Sequence, residues 1–281
     1  MARWLIDMAG VQVTVVAKDA RSHELVETAL SAMDTEQVGS SVGIKLTLKY
    51  HNGFWELCDH SNKLERKLEQ TGDVIYHLTD RIVFHIADKA QNVHCLHAAS
   101  VARDGRAIVV PANSGAGKST FTTWLAANDF DYLTDELILV NDQGDLSAVS
   151  RPIQIKSHGL NAIEHLLKEP SLVHKGKYAN ALPIECLGAN KAQGKQVLGL
   201  FVFPKYSKGG EFSFKKLSGA EAGMRLMANH VNARNLEGHG FKAMMALIKS
   251  TPSYALEYGG FDALSANFCD LLTNPLQASS I

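Results

Sequence analysis

An α/β protein with a mixed, partly antiparallel sheet, preceded by a smaller α+β part, is what this sequence predicts. Three observations carry that expectation. Val11–Ala17 (VQVTVVA) and Val42–Tyr50 (VGIKLTLKY) alternate apolar and polar residues with the period of half-buried strands. A loop of small residues from Ala112 to Ser119 stands between an apolar run and a helix-like stretch. The turn Arg103-Asp104-Gly105 joins two apolar segments so tightly that the strand entering the loop must pair antiparallel with the one before it.

The elements follow in order. Ser22–Met33, between the two alternating runs, has helical spacing, and Asp73 is placed to cap a helix carrying Ile75, Leu78, Ile82 and Ile86 on one face. Residues 1–90 therefore read as a small α+β domain, and 91–281 as the main domain. In the latter, the hairpin leads into the small-residue loop and its helix. Phe130–Val140 (FDYLTDELILV) then reads as an apolar strand with acids in its middle, and Gln196–Pro204 as a buried strand. Ser218 and Glu221 form a capping box before a helix. HGFKAMMALIKSTP is helical as far as its proline stop, SYALEY is a strand, and an amphipathic helix closes the chain.

Composition narrows the function classes. Of 281 residues, 46% are hydrophobic and 20% charged, which is the balance of a folded globular chain. A net charge of -1 offers no basic surface for nucleic acid and no polybasic membrane anchor, so neither partner is expected. Cys58, Cys95, Cys186 and Cys269 are scattered without zinc spacing and read as reduced thiols of a cytoplasmic protein. No signal peptide or membrane span is read in the apolar runs.

The small-residue loop is where chemistry concentrates. Ala112-Asn113-Ser114-Gly115-Ala116-Gly117-Lys118-Ser119 has Walker A spacing, with alanine in place of the usual first glycine. Small residues let successive backbone N–H groups turn toward one anion, and a helix beginning near Gly117 adds its positive end. Lys118 supplies a point charge for the β- and γ-phosphates, and Ser119 a hydroxyl for a magnesium shell. Asn113 to Lys118, Ser119 and Thr120 are thus the candidate residues for a nucleoside triphosphate, expected to be ATP with Mg²⁺. Seventeen residues beyond Lys118, Asp135 and Glu136 are candidate metal ligands, and Asp135 a candidate base for a substrate hydroxyl.

His97, in CLHAASV, is on spacing alone an ordinary strand histidine. However, the ordered set of His97, NSGAGKST and LTDE resembles the catalytic domain of HPr kinase/phosphorylase, a bacterial family that phosphorylates a serine on a small carrier protein. The match is closer to HPr-kinase-related proteins with LHAASV, the loop, an acidic pair and a later RPIxIK-like segment. Its specific motifs run from His97 to Lys156. The resemblance implies a P-loop kinase core of the HPr kinase/PEP carboxykinase type, with Lys118 and Ser119 on phosphate and magnesium. It also implies Asp135 as general base or metal acid, and His97 near the transferred phosphate. Two features depart from the family: Glu136 stands where it has a second aspartate, and residues 1–90 do not look like its first domain. HPr kinases form rings, so the resemblance allows a homo-oligomer.

The expected activity is transfer of the γ-phosphoryl group of ATP to a hydroxyl, a serine of a protein or peptide. The alternatives are a nucleotide-binding regulatory ATPase or switch, and a small-molecule or carboxykinase-like enzyme. A guanine-selecting Asn-Lys-x-Asp motif is absent from the sequence. Lys156 and Arg151 are candidate cations for phosphate or substrate, with solvated charge the simpler reading, above all for Arg151. Val173–Pro183, with Lys175 and Lys177, reads as a solvated loop; covering a substrate is its alternative. His230, Asn232 and Arg234 form a polar cluster with no assigned role.

Overall fold

A computed structural model describes residues 1–113, 115–264 and 266–278. The chain is mixed α/β and divides into two compact units, Met1–Gln91 with Ser150–Cys186, and Asn92–Val149 with Leu187–Ile281. The first unit opens with β1 (Ala2–Met8), β2 (Val11–Ala17), α1 (Ala20–Leu30), β3 (Glu36–Gln37), β4 (Ile44–His51), β5 (Phe54–Cys58), β6 (Leu64–Leu68) and α2 (Thr71–Lys89). The second follows with β7 (His94–Arg103), β8 (Arg106–Pro111), α3 (Lys118–Ala127), β9 (Asp131–Thr134), β10 (Leu137–Val140) and β11 (Asp145–Ala148). The chain returns to the first unit for β12 (Ile153–Lys156), α4 (Leu160–Ile163) and β13 (Ala179–Leu182). It ends in the second with β14 (Gln196–Tyr206), β15 (Ser213–Lys216), α5 (Gly219–Met227), α6 (Phe241–Ser250), β16 (Ser253–Tyr258) and α7 (Ala266–Ala278).

In the first unit a six-stranded sheet has the order β3-β1-β2-β4-β5-β6, with β2 and β4 parallel and the other neighbours antiparallel. Val13, Val15, Leu46, Leu48 and Leu57 are fully buried, as are Ile75, Leu78, Ile82 and Ile86 of α2. The helical spacing of those α2 residues is what buries them together.

Asp73 does not cap α2. The helix starts earlier, at Thr71, with Gln70 at the N-cap making no side-chain bond. Asp73 instead accepts the N–H groups of Lys177 (2.8 Å), Tyr178 (2.9 Å) and Ala179 (3.4 Å). A buried carboxylate needs such donors, and a loop from far along the chain supplies them, overriding the local capping rule. This docking, with the Gly72 N–H donated to the Lys175 carbonyl (3.0 Å), explains why Ser150–Cys186 belong to the first unit although the sequence counts them with the second. Close backbone approach is built in at Gly72 and Gly176, whose Cβ atoms would stand 2.4 Å from the His174 carbonyl oxygen and 2.2 Å from that of Ala179.

In the second unit the sheet order is β11-β10-β7-β8-β14-β16-β15, with β9 also on β7. Asp104 and Gly105, both at positive φ (53° and 75°), make the tight turn that sets β7 and β8 antiparallel. β14 runs parallel to both β8 and β16, and β11 pairs with β14 as well as β10, so the sheet curls back on itself. One face packs Leu96, Ala98, Val109, Phe201 and Phe203 against Ala222 and Leu226 of α5 and Met244 and Leu247 of α6. Truncating a residue such as Phe201 there would cost about 3–5 kcal/mol. Phe121 and Trp124 of α3 pack with Phe268 of α7.

The expected strand Phe130–Val140 is two strands, interrupted at Asp135–Glu136. All four cysteines are free and buried. Among the described residues no helix is long and apolar enough to cross a membrane.

Candidate functional site

The loop between β8 and α3 owes its shape to two glycines in the left-handed region, Gly115 (φ 90°) and Gly117 (φ 89°). At Gly117 a Cβ would also stand 2.8 Å from the Tyr258 hydroxyl and 3.1 Å from Tyr206 Cβ, so space and conformation both require glycine. The loop is braced by its neighbours. Ala116 donates its N–H to the Asn113 carbonyl (3.2 Å), Tyr206 donates its N–H to that of Ala116 (3.3 Å), and Phe121 its N–H to that of Gly117 (2.8 Å). α3 begins directly afterwards, directing its N-terminal amides and positive dipole end toward the loop.

Lys118 is the first residue of α3, and the residue is only 7% exposed. Its Nζ lies 2.9 Å from His97 Nε2. His97 Nδ1 lies 3.0 Å from Glu136 Oε1. The same Nζ is 3.3 Å from His97 Nδ1, so the ammonium and the Glu136 carboxylate both sit against the imidazole. On the other side of Lys118, Ser119 Oγ donates to Asp135 Oδ2 at 3.4 Å, and Asp135 is fully buried.

Strand register explains how residues so far apart meet. Leu137 pairs with His97 and Thr134 with Ser100 across β7, which places the two acids against Ala98 and Ala99. Ala98 donates its N–H to the Glu136 carbonyl (3.1 Å), while His97 donates its own to that of Asn229 (2.8 Å). Thr134 holds the break between β9 and β10. Its hydroxyl donates to the Val149 carbonyl (2.8 Å) and accepts the N–H groups of Glu136 (3.2 Å) and Leu137 (3.4 Å).

The structure thus brings together five of the expected residues in two sets of side-chain contacts, Glu136–His97–Lys118 and Ser119–Asp135, which meet at the neighbouring residues 118 and 119. Asn113, Gly115, Ala116 and Gly117 form the loop itself, and Thr120 lies half-buried in the first turn of α3. Ser114 lies outside the described residues. Lys156 belongs to the other unit, where it ends β12 with an exposed side chain. Arg151, expected to be solvated, is 2% exposed.

Three residues escaped the sequence reading. Thr134 was detectable as a hydroxyl residue two positions before Glu136, the spacing of a side-chain turn. Tyr206 and Tyr258 end neighbouring strands beside the loop, and their only local signal is an aromatic before a turn. Burial pushes the Tyr258 phenol well above its ordinary value, keeping it a neutral donor, and its Oη lies 3.5 Å from the Gly117 carbonyl. The polar cluster after α5 also gains a role. Asn232 accepts the Cys95 N–H (2.8 Å) and donates to the Val93 carbonyl (2.9 Å), fastening that segment to the start of β7.

Chemically, the site offers a glycine-shaped loop at a helix N-terminus, a sheltered cation, an imidazole held between a lysine and a carboxylate, two carboxylates and a hydroxyl. Among the described residues no group of three or more His, Cys, Asp and Glu side chains is arranged to hold a metal by itself. No protein-family model matches the chain, and no curated protein matches it significantly.

Proposed function

We propose that this chain is a cytoplasmic, magnesium-dependent P-loop kinase related to HPr kinase, moving the γ-phosphoryl group of ATP to a serine hydroxyl of a protein or peptide. One observation carries the reading: Lys118, Ser119, Asp135, His97 and Glu136 converge at the mouth of a glycine-shaped loop. Phosphoryl transfer asks a protein mainly for positioning and for charge stabilisation, and these residue types supply both.

In this mechanism the loop amides and Lys118 hold the phosphate tail. Phosphate oxygens are stronger acceptors for Lys118 than His97 Nε2, so triphosphate draws the ammonium away from the imidazole. Glu136 Oε1, 3.0 Å from His97 Nδ1, holds the imidazole beside the position of that anion. Asp135 takes the proton of the incoming hydroxyl. Ser119 Oγ and Asp135 Oδ2, 3.4 Å apart, are the oxygens that would hold magnesium. When bound, magnesium offsets the negative charge of the phosphates.

The test is incubation with γ-labelled ATP and a cell lysate or candidate peptides. Label should pass to polypeptide serine, and Asp135→Asn should keep ATP binding while losing transfer by about 10²–10⁴-fold. Label released only as free phosphate would instead mark a nucleotide switch, and an Asp135→Asn protein with full transfer would remove the base.

A further inference from the structure

The phosphate-loop reading leaves the rest of the nucleotide unplaced. Resting on that reading, we infer that a cleft at the carboxyl ends of β14 and β16 is the subsite for the base and ribose of the nucleoside triphosphate. β8, β14 and β16 are mutually parallel neighbours, ending at Pro111, Tyr206 and Tyr258. Ligands of α/β sheets sit outside the carboxyl ends of such strands.

Direction follows from the order of the strands. Asp135, Glu136 and His97 lie on the β7 and β10 side of the loop, whereas β14 and β16 lie on the other. A tail whose terminal phosphate faces the acids must therefore extend its nucleoside over β14 and β16. There the structure has a cleft of about 470 Å³, lined by Ser207, Glu211, Phe212, Lys215, Glu257 and Tyr258. Tyr258 belongs to both places, lining the cleft and reaching the Gly117 carbonyl at 3.5 Å.

The cleft wall is firmly built. Ser207 donates its N–H to the Tyr258 carbonyl (3.0 Å), Gly210 to that of Ser207 (2.7 Å) and Gly209 to that of Gly259 (3.4 Å). A Cβ on Gly259 would stand 2.4 Å from the Gly210 carbonyl oxygen, so the two backbones meet only because residue 259 is glycine.

Its chemistry also fits. Phe212 is 40% exposed and rests edge-on against buried Phe268 (5.5 Å between centroids), which fixes the ring and offers apolar surface for a base to stack on. Glu211, Glu257 and Ser207 line the same cleft and carry oxygens that can accept ribose hydroxyls or an exocyclic amino group. Glu257 is held by Lys205 at 3.2 Å.

The test compares ATP with inorganic tripolyphosphate, both with magnesium, by titration calorimetry on the full chain. The wild type should bind both, ATP more tightly. Phe212→Ala should weaken ATP about 10-fold while tripolyphosphate changes by less than about 2-fold, and Phe212→Tyr should restore ATP. If Phe212→Ala leaves both affinities unchanged, or weakens both equally, the subsite is wrong and the phosphate loop stands. If the wild type binds neither compound, the loop reading fails and the subsite with it. A second measurement needs no variant. Photolabelling with 8-azido-ATP should mark residues 206–215 in competition with ATP, and ATP-protected labelling confined elsewhere overturns the assignment.

Discussion

Two loops of this chain carry a Gly-Lys pair, Gly176-Lys177 in the first unit and Gly117-Lys118 in the second, and the fold uses them oppositely. Both glycines are sterically required. A Cβ would meet the Ala179 oxygen at 2.2 Å at position 176, and the Tyr258 hydroxyl at 2.8 Å at position 117. The first loop wraps its amides around the chain's own anion, the Asp73 carboxylate. Its lysine points outward, 64% exposed, against Glu69 at 3.0 Å. The second holds its lysine inward, 7% exposed, on His97. The two Gly-Lys loops, alike in letters, thus differ in where the cation goes: the first closes on an anion of the chain itself, the second turns its lysine inward.

The largest effect should separate the two lysines. On the proposed mechanism Lys118→Met removes the charge that holds the phosphate tail and should reduce labelled-phosphate transfer by about 10²–10³-fold. Lys177→Met removes an exposed ion pair, so transfer should stay within about 2-fold and stability within about 1 kcal/mol. Equal losses of transfer from both variants would erase the distinction between the loops.

The sequence makes part of this legible. Period-two runs place β2 and β4, the Asp-Gly turn places the β7–β8 hairpin, and the Ser218–Glu221 box marks α5, because each signal is local. The glycine loop and the acids of Asp135–Glu136 are visible for the same reason. What stays hidden is non-local. Asp73 satisfies every local rule for an N-cap, yet its bonds go to amides more than a hundred residues away. The His97–Glu136 pair depends on the register of β10 against β7, which no window around either residue contains. Arg151 is buried by tertiary packing that its own charge does not announce.

The next effect tests whether the first loop is closed on itself. Asp73→Ala leaves the amides of Lys177, Tyr178 and Ala179 facing a buried gap and should destabilise the protein by about 2–4 kcal/mol in denaturant unfolding. Asp135→Asn keeps the shape of the side chain, and the proposed catalytic role asks nothing of it for folding, so stability should change by less than about 1 kcal/mol or rise. A large loss for Asp135→Asn beside a small one for Asp73→Ala would reverse the assignment of structural and functional carboxylates.

The smallest effect draws the same contrast within one strand. His97, on β7, faces the loop, while His94, at the head of that strand, is closed by the fold: its Nδ1 lies 3.4 Å from His230 Nε2 and its Nε2 3.2 Å from Asp142 Oδ1. Burial, and then the neighbouring His94, lower the His230 pKa from the ordinary 6.5 to about 4. The unfolded chain therefore takes up a proton here below about pH 6.5 that the folded chain refuses until about pH 4. This stabilising contribution is complete above the upper value and is lost as pH falls through the window, by an amount on the order of 1–3 kcal/mol. His230→Gln should flatten the loss of stability between those two pH values, whereas His97→Gln should leave the slope in place and act on phosphate transfer instead. If the slope disappeared in His97→Gln and survived in His230→Gln, the two ends of β7 would have to exchange their roles.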